Sequence, residues 1–178
     1  MWQQSVAINR LVFIDESSAK TNICKLYGRS QHGERCHDMA PASWSTTTMI
    51  SSIRLNGTTE CIVFDGAIDR SMFRAYMKDV LLPVLQDGDI VVLDNLSSHK
   101  DKHVIEYFAS HGVRLLFLPA YSPDLNPIEK MWSKIKGILR EMRPETPDAL
   151  FEAIGIAFAR ISPENARGWF GSCGYFQF

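Results

Sequence analysis

Three acidic side chains stand at positions from which a folded chain can do metal chemistry. Asp15 closes the apolar run AINRLVFID (7–15), Asp94 follows the apolar run IVVL (90–93), and Glu129 falls just inside a helix that begins after a proline-rich loop. A carboxylate at the end of a buried strand sits on rigid backbone yet emerges at a sheet edge. Hard divalent cations take oxygen ligands, chiefly carboxylates. Two such ions about 3.5–4 Å apart can activate a nucleophilic oxygen, stabilise a leaving oxygen and neutralise a phosphoryl group. The chemistry that matches this set is phosphodiester cleavage.

Each residue also has a purely structural reading. Asp15 can simply end its strand, and the adjacent Glu16 competes for its role; alternation from the buried Phe13 puts Asp15, not Glu16, on the same side of the strand. Asp94 with Asn95 can form a turn. Asn126-Pro127-Ile128-Glu129 has the form of a capping box, with Asn126 as N-cap, proline at the first helical position and glutamate at the third. Taken singly, none of the three carries the assignment. Asp65 beside Gly66 has turn chemistry, Asp69 is placed to cap the following helix and Asp124 to bond within its own loop, so these three stay outside the candidate set.

The elements that must position the acids follow from pattern. After the first strand, STTTMISSIRL (45–55) and ECIVFD (60–65) are β-rich runs around the turn signal Asn56-Gly57, which predicts a hairpin. Residues 23–28 form a weaker strand candidate, and 31–43 read as loop. Helical spacing of Met72, Phe73, Tyr76, Met77, Val80 and Leu81 predicts a helix over 71–85. Residues 90–93 are a strand, 99–110 a helix, 113–118 a strand, 119–127 a loop, and 128–142, 147–160 and 163–170 helices. Leading strands with a hairpin, followed by alternating helices and strands, imply an α/β fold with a mixed sheet flanked by helices. That order matches a ribonuclease H-like fold and argues against the strict β-α alternation of a receiver domain.

Composition bounds the rest. The 178 residues are 46% hydrophobic and 22% charged, enough for one core and too few for two ordinary domains. Nineteen basic against twenty acidic residues give a formal charge of −1, so any contact with nucleic acid must come from local clusters rather than bulk charge. No apolar run approaches the roughly 20 residues of a membrane span, and the start lacks signal-peptide layout; the chain reads as cytoplasmic, with no membrane partner. The four cysteines include no CxxC pair, so they read as reduced and mostly buried, and Cys36-His37 lacks the second pair that zinc requires.

The segments LVFIDES (11–17), STTTMISSIRLNG (45–57), VFDGAIDRSMF (63–73), DIVVLDNLSSHK (89–100) and LLFLPAYSPDLNPIEKMWSKIK (115–136) resemble the bacterial insertion-sequence transposases of the mariner superfamily. The resemblance covers nearly the whole chain, and the 34 residues between Asp94 and Glu129 match that family's spacing. It implies a DDE triad on a ribonuclease H-like fold, with Asp15, Asp94 and Glu129 as the metal-binding carboxylates. It further implies two Mg²⁺ ions, or Mn²⁺ in their place, hydrolytic cutting at transposon ends, and attack of the freed 3′-hydroxyl on target DNA at a TA dinucleotide. Such enzymes commonly act as dimers, which implies a homodimer, and a bacterial origin implies a cytosolic, nucleoid-associated protein. The family's helix-turn-helix modules precede this domain and have no counterpart in residues 1–178, which are expected to form a single catalytic domain.

Supporting residues are expected around the acids. His99 is placed for a phosphate contact, with a histidine in the same motif of the family. Lys136 and Arg140 follow Glu129 along one side of its helix and can meet DNA phosphates or form a solvated basic face. Asn95 steadies the strand end, and Pro123, Asn126 and Pro127 shape the loop that aims Glu129. Trp132 lies on the core stripe of its helix, while Lys130 and Lys134 read as surface charges. Two other readings remain at this point: a different ribonuclease H-like nuclease, and a decayed or domesticated transposase-derived domain that binds DNA without cutting it.

Overall fold

The structure is a computed structural model and describes residues 7–39, 42–95 and 102–175. Five strands, β1 (Leu11–Lys20), β2 (Thr46–Arg54), β3 (Cys61–Asp65), β4 (Ile90–Leu93) and β5 (Arg114–Phe117), form one sheet in the order β3-β2-β1-β4-β5. β1 pairs antiparallel with β2, and β2 with β3, whereas β1–β4 and β4–β5 are parallel. The expected mixed sheet is therefore present.

Helices cover both faces, which is why β1 and β4 begin as unbroken apolar runs rather than alternating ones. Leu11, Phe13, Ile90 and Val92 pack on one face with α3 (Pro127–Met142), α4 (Pro147–Ala159) and α5 (Pro163–Ser172). Val12, Ile14, Val91 and Leu93 pack on the other with α1 (Arg70–Ala75), the helical turns after it, and α2 (Lys102–Ala109). The β2–β3 hairpin closes at the predicted Asn56-Gly57. Gly57 adopts φ +84°, a region that suits glycine, and a Cβ there would come within 3.0–3.2 Å of the Ser162–Pro163 backbone.

Several expectations need correction. β1 does not stop at Asp15 but continues to Lys20, still paired to β2; residues 8–10, expected as strand, form a 3-10 turn. Residues 23–28 form no strand. The helix expected over 71–85 is three pieces: α1, a π-helical turn Tyr76–Leu81 and a 3-10 turn Leu82–Val84. Pro83 lacks a backbone N–H and its ring crowds the preceding turn, so α-helical bonding cannot run through it. Cysteines are less buried than expected, with Cys173 buried, Cys24 and Cys61 half-buried and Cys36 exposed, and none of the four forms a disulfide. Among the described residues no helix is long and apolar enough to cross a membrane.

Asp89, just ahead of β4, ties the sheet's lower pole together. Its carboxylate accepts from Arg54 Nη2 at 2.6 Å and from the Gln86 backbone N–H at 2.8 Å, with Arg10 Nη1 at 3.6 Å. Burial pushes this carboxyl up, but the Arg54 and Gln86 hydrogen bonds with the Arg54 and Arg10 charges outweigh it and hold the group below the ordinary aspartate range. The stabilisation is therefore present at neutral pH and lost as pH falls through that lowered value. The Asp89 side chain is 1% exposed, so Arg54→Ala strands a buried carboxylate and should cost about 3–5 kcal/mol, read as a lower urea midpoint at pH 7.

Candidate active site

The parallel pairing of β1 and β4 runs through Leu11↔Ile90, Val12↔Val91 and Phe13↔Val92 and then ends. Continuing that register by two residues brings Asp15 level with Asp94. The strands are adjacent and in phase, so the two carboxylates fall just past the point where β1–β4 pairing ends, while β1 stays paired to β2. Side chains alternate along β1, which places Asp15 on the Leu11–Phe13 face, beneath α3. Glu16 points to the opposite face, where it lines a different depression with Thr46 and Thr48.

Glu129 arrives from α3. The helix buries Ile128, Met131, Trp132, Ile135, Ile138 and Leu139 as one stripe, and Glu129 is exposed beside that stripe. Pro127 occupies the first helical position, where its missing N–H costs nothing. The capping box does not form: the Asn126 side chain makes no capping bond, and Asn126, 4% exposed, leaves its buried Oδ1 without a partner. The short turn Pro123–Leu125 before α3 is pinned from far along the chain, because the Tyr175 hydroxyl donates to the Leu125 carbonyl at 2.6 Å. Tyr175 is itself held edge-on against Phe13 at 5.0 Å.

Asp15, Asp94 and Glu129 line one cavity of about 350 Å³, together with Asn95, Pro123, Asn126 and the loop 118–122. No basic side chain lines it among the described residues. Burial pushes the Asp15 carboxyl up to about 7, and the charges of Glu129, Asp94 and Glu16 add to the rise against a backbone hydrogen bond from Glu16. Among the described residues no three His, Cys, Asp or Glu side chains stand close enough together to hold an ion. The donor set nevertheless fits a hard divalent cation: the carboxylates offer oxygen ligands, and the charges of Glu129 and Asp94 help raise the Asp15 carboxyl, a repulsion that a bound cation would relieve.

The supporting residues divide. Asn95, Pro123 and Asn126 line the cavity, whereas Pro127 is buried at the start of α3. His99 lies outside the described residues. Lys136 and Arg140 are half-buried on α3 and do not line the cavity. Trp132 is 2% exposed and meets Phe158 edge-on at 6.0 Å, so it packs as expected. Lys134 departs from the surface-charge reading: its Nζ donates to the Arg160 carbonyl at 2.6 Å and to Asn165 Oδ1, tying α3 to the α4–α5 junction.

Sequence reasoning passed over Tyr121 and Tyr175. Tyr175 works through a hydroxyl-to-carbonyl bond across fifty positions, which no local pattern announces. Tyr121 lines the cavity with its side chain fully exposed and its backbone at φ +56°, a conformation costing a non-glycine residue about 1–2 kcal/mol. Its signal was an aromatic stranded in a loop of proline and small residues.

A carboxyl raised in the folded state holds a proton that the unfolded chain has already released. Stability of the metal-free protein should therefore fall as pH rises from about 3.8 towards about 7. Asp15→Asn removes that slope and should stabilise the metal-free chain at pH 8, by on the order of a few kcal/mol; thermal melts of both proteins between pH 4 and 8 with chelator provide the check.

Known proteins with related sequences and folds identify the family and the fold. Residues 10–150 match the family described as DDE superfamily endonuclease. The transposable element Tc1 transposase of Caenorhabditis elegans is 33% identical over 91 residues, covering 51% of this chain and 33% of that protein. The Tcb2 transposase of Caenorhabditis briggsae is 31% identical over 94 residues, covering 51% and 34%. The chain thus spans a little over half the length of the solved structures cited next, and the matched part is about a third of the Tc1 and Tcb2 transposases. Among solved structures, the Mos1 strand transfer complex aligns with TM-score 0.75 at 17% identity over 92% of this chain and 51% of that one. The mariner Mos1 paired end complex with Mg aligns with TM-score 0.77 at 15% identity over 97% and 56%. The fold is the ribonuclease H-like one of the Mos1 catalytic domain, and with its carboxylates gathered at the end of the β1–β4 pair, the chain belongs to the DDE superfamily endonucleases.

Proposed function

We propose that this domain cuts DNA and joins the freed 3′-hydroxyl to a target in cut-and-paste transposition, with Asp15, Asp94 and Glu129 as its metal-binding carboxylates. The observation that carries the reading is that Asp15, Asp94 and Glu129 line one cavity just past the paired part of the parallel strands β1 and β4. The transposase relatives support it.

Asp15 and Asp94 would hold one divalent ion, and Glu129 would complete a second position from α3. Mg²⁺, with Mn²⁺ as substitute, supplies charge neutralisation and activation of the attacking oxygen when bound; Mos1 complexes with Mg and with Mn support that choice. The chain's own residues do the positioning. The sheet carries Asp15 on β1 and Asp94 just after β4, α3 carries Glu129, and the loop 118–122 forms part of the cavity wall. Asn95 and Asn126 offer uncharged polar groups at its edge, and His99 contacts a phosphate. Lys136 and Arg140 extend from the cavity along α3 as a phosphate track.

Residues 1–178 are read as one catalytic domain, of the bacterial insertion-sequence branch, acting as a homodimer on two transposon ends and inserting at TA in nucleoid DNA of the bacterial cytosol. Asp94→Asn should abolish Mg²⁺-dependent cutting and joining of transposon-end duplexes with an unchanged melting temperature. Undiminished cutting by the variant removes Asp94 from the mechanism. Lys136→Ala with Arg140→Ala should weaken DNA binding severalfold and flatten its dependence on salt; an unchanged salt slope returns both residues to an ordinary solvated face.

A further inference from the structure

Tyr121 is explained neither by packing nor by the carboxylate geometry. Its side chain is fully exposed, yet it lines the same cavity as Asp15, Asp94 and Glu129. Its backbone holds the left-handed conformation at φ +56°, which favours glycine. Arg143 shares that conformation at φ +50°, but there it ends α3, with the Arg143 backbone N–H donating to the Leu139 carbonyl, a common helix-terminating arrangement. Tyr121 ends no helix. Its loop is instead stiffened by Pro119 and Pro123, by the Ser122 hydroxyl on the Ala120 carbonyl at 3.3 Å, and by the Leu125 N–H on the Ser122 carbonyl at 3.1 Å. The turn thus presents a fully exposed aromatic residue at the lining of an acidic cavity, where burial does not reward it.

We propose that Tyr121 is a stacking platform for an unpaired nucleobase of the DNA strand whose phosphate enters the carboxylate cavity, an inference that rests on the DNA-cutting reading above. In a duplex both faces of every base are covered by neighbours. Where a DNA strand frays at the end beside the recess, its terminal base loses a neighbour on one face, and an adjacent aromatic ring can cover it. The described lining of the cavity carries three carboxylates. An uncharged π-face adds affinity without adding charge, and it tolerates any base sequence.

The test compares wild type with Tyr121→Ala, Tyr121→Phe and Tyr121→Gly. The probe is a short duplex with an unpaired 3′ overhang carrying 5-iodouracil, held uncut in Ca²⁺, beside the same duplex with blunt ends. Wild type should prefer the overhang by roughly tenfold to a hundredfold and crosslink to it through Tyr121 on irradiation. Tyr121→Phe should keep the preference, and Tyr121→Ala and Tyr121→Gly should lose it. Because the ring packs on nothing, Tyr121→Gly should melt no lower than wild type; a clear drop makes the ring structural and overturns the proposal. An overhang preference that survives Tyr121→Ala overturns stacking, and loss in Tyr121→Phe assigns the contact to the hydroxyl instead. Wild type that cuts DNA in Mg²⁺ without overhang preference sinks the stacking proposal alone, whereas wild type that neither binds nor cuts DNA sinks the transposase reading with it.

Discussion

The hydrogen-bonded register between β1 and β4 is the constraint on which the rest depends. Parallel strands cannot be joined by a tight turn, so about seventy residues of hairpin and helix separate Lys20 from Ile90. What returns β4 to the side of β1 is burial on both faces: Leu11 and Phe13 pack with Ile90 and Val92 under α3 to α5, and Val12 and Ile14 pack with Val91 and Leu93 on the opposite face. A slip of one residue would exchange those faces and send Asp15 away from Glu129. The placement of the acids is therefore a by-product of apolar packing, which is strong enough to hold like charges near one another.

That strand pair carries an acid at each pole, and the contrast between them separates structure from function. At the pole before β4, Asp89 is closed off by Arg54, Arg10 and the Gln86 backbone, and its carboxyl is held below the ordinary range. At the other pole, Asp15 meets Glu129, Asp94 and Glu16, and its carboxyl is pushed up to about 7. A fold selected only for stability would have supplied arginines at both poles. Half-buried Asp15 and Asp94 share a cavity with the exposed Glu129, an arrangement that suits a counter-charge supplied from outside the chain.

α3 conveys this arrangement to the third acid. Its buried stripe anchors it to the sheet, Lys134 ties it to the α4–α5 junction, and Tyr175 bonds the turn that precedes it. Glu129 is thus aimed by contacts from the far end of the chain rather than by its own capping box. Asn126 leaves its side chain uncommitted as a result, inside the same cavity.

Much of this was legible in the sequence because it depends on local patterning. Apolar runs ending in Asp15 and Asp94, the Asn56-Gly57 turn and the stripe from Ile128 to Leu139 all repeat short-range rules of strand, turn and helix. Local pattern did not reveal that β1 runs on past Asp15, because antiparallel pairing to β2 sustains polar residues as strand once β4 has dropped away. Nor could it separate Asp15 from Glu16 except by alternation, show that Pro83 breaks one helix into three pieces, or bring Lys134, Tyr121 and Tyr175 into view. Those depend on which residues distant in sequence become neighbours, and that is decided by the packing of helices on the two faces of the sheet.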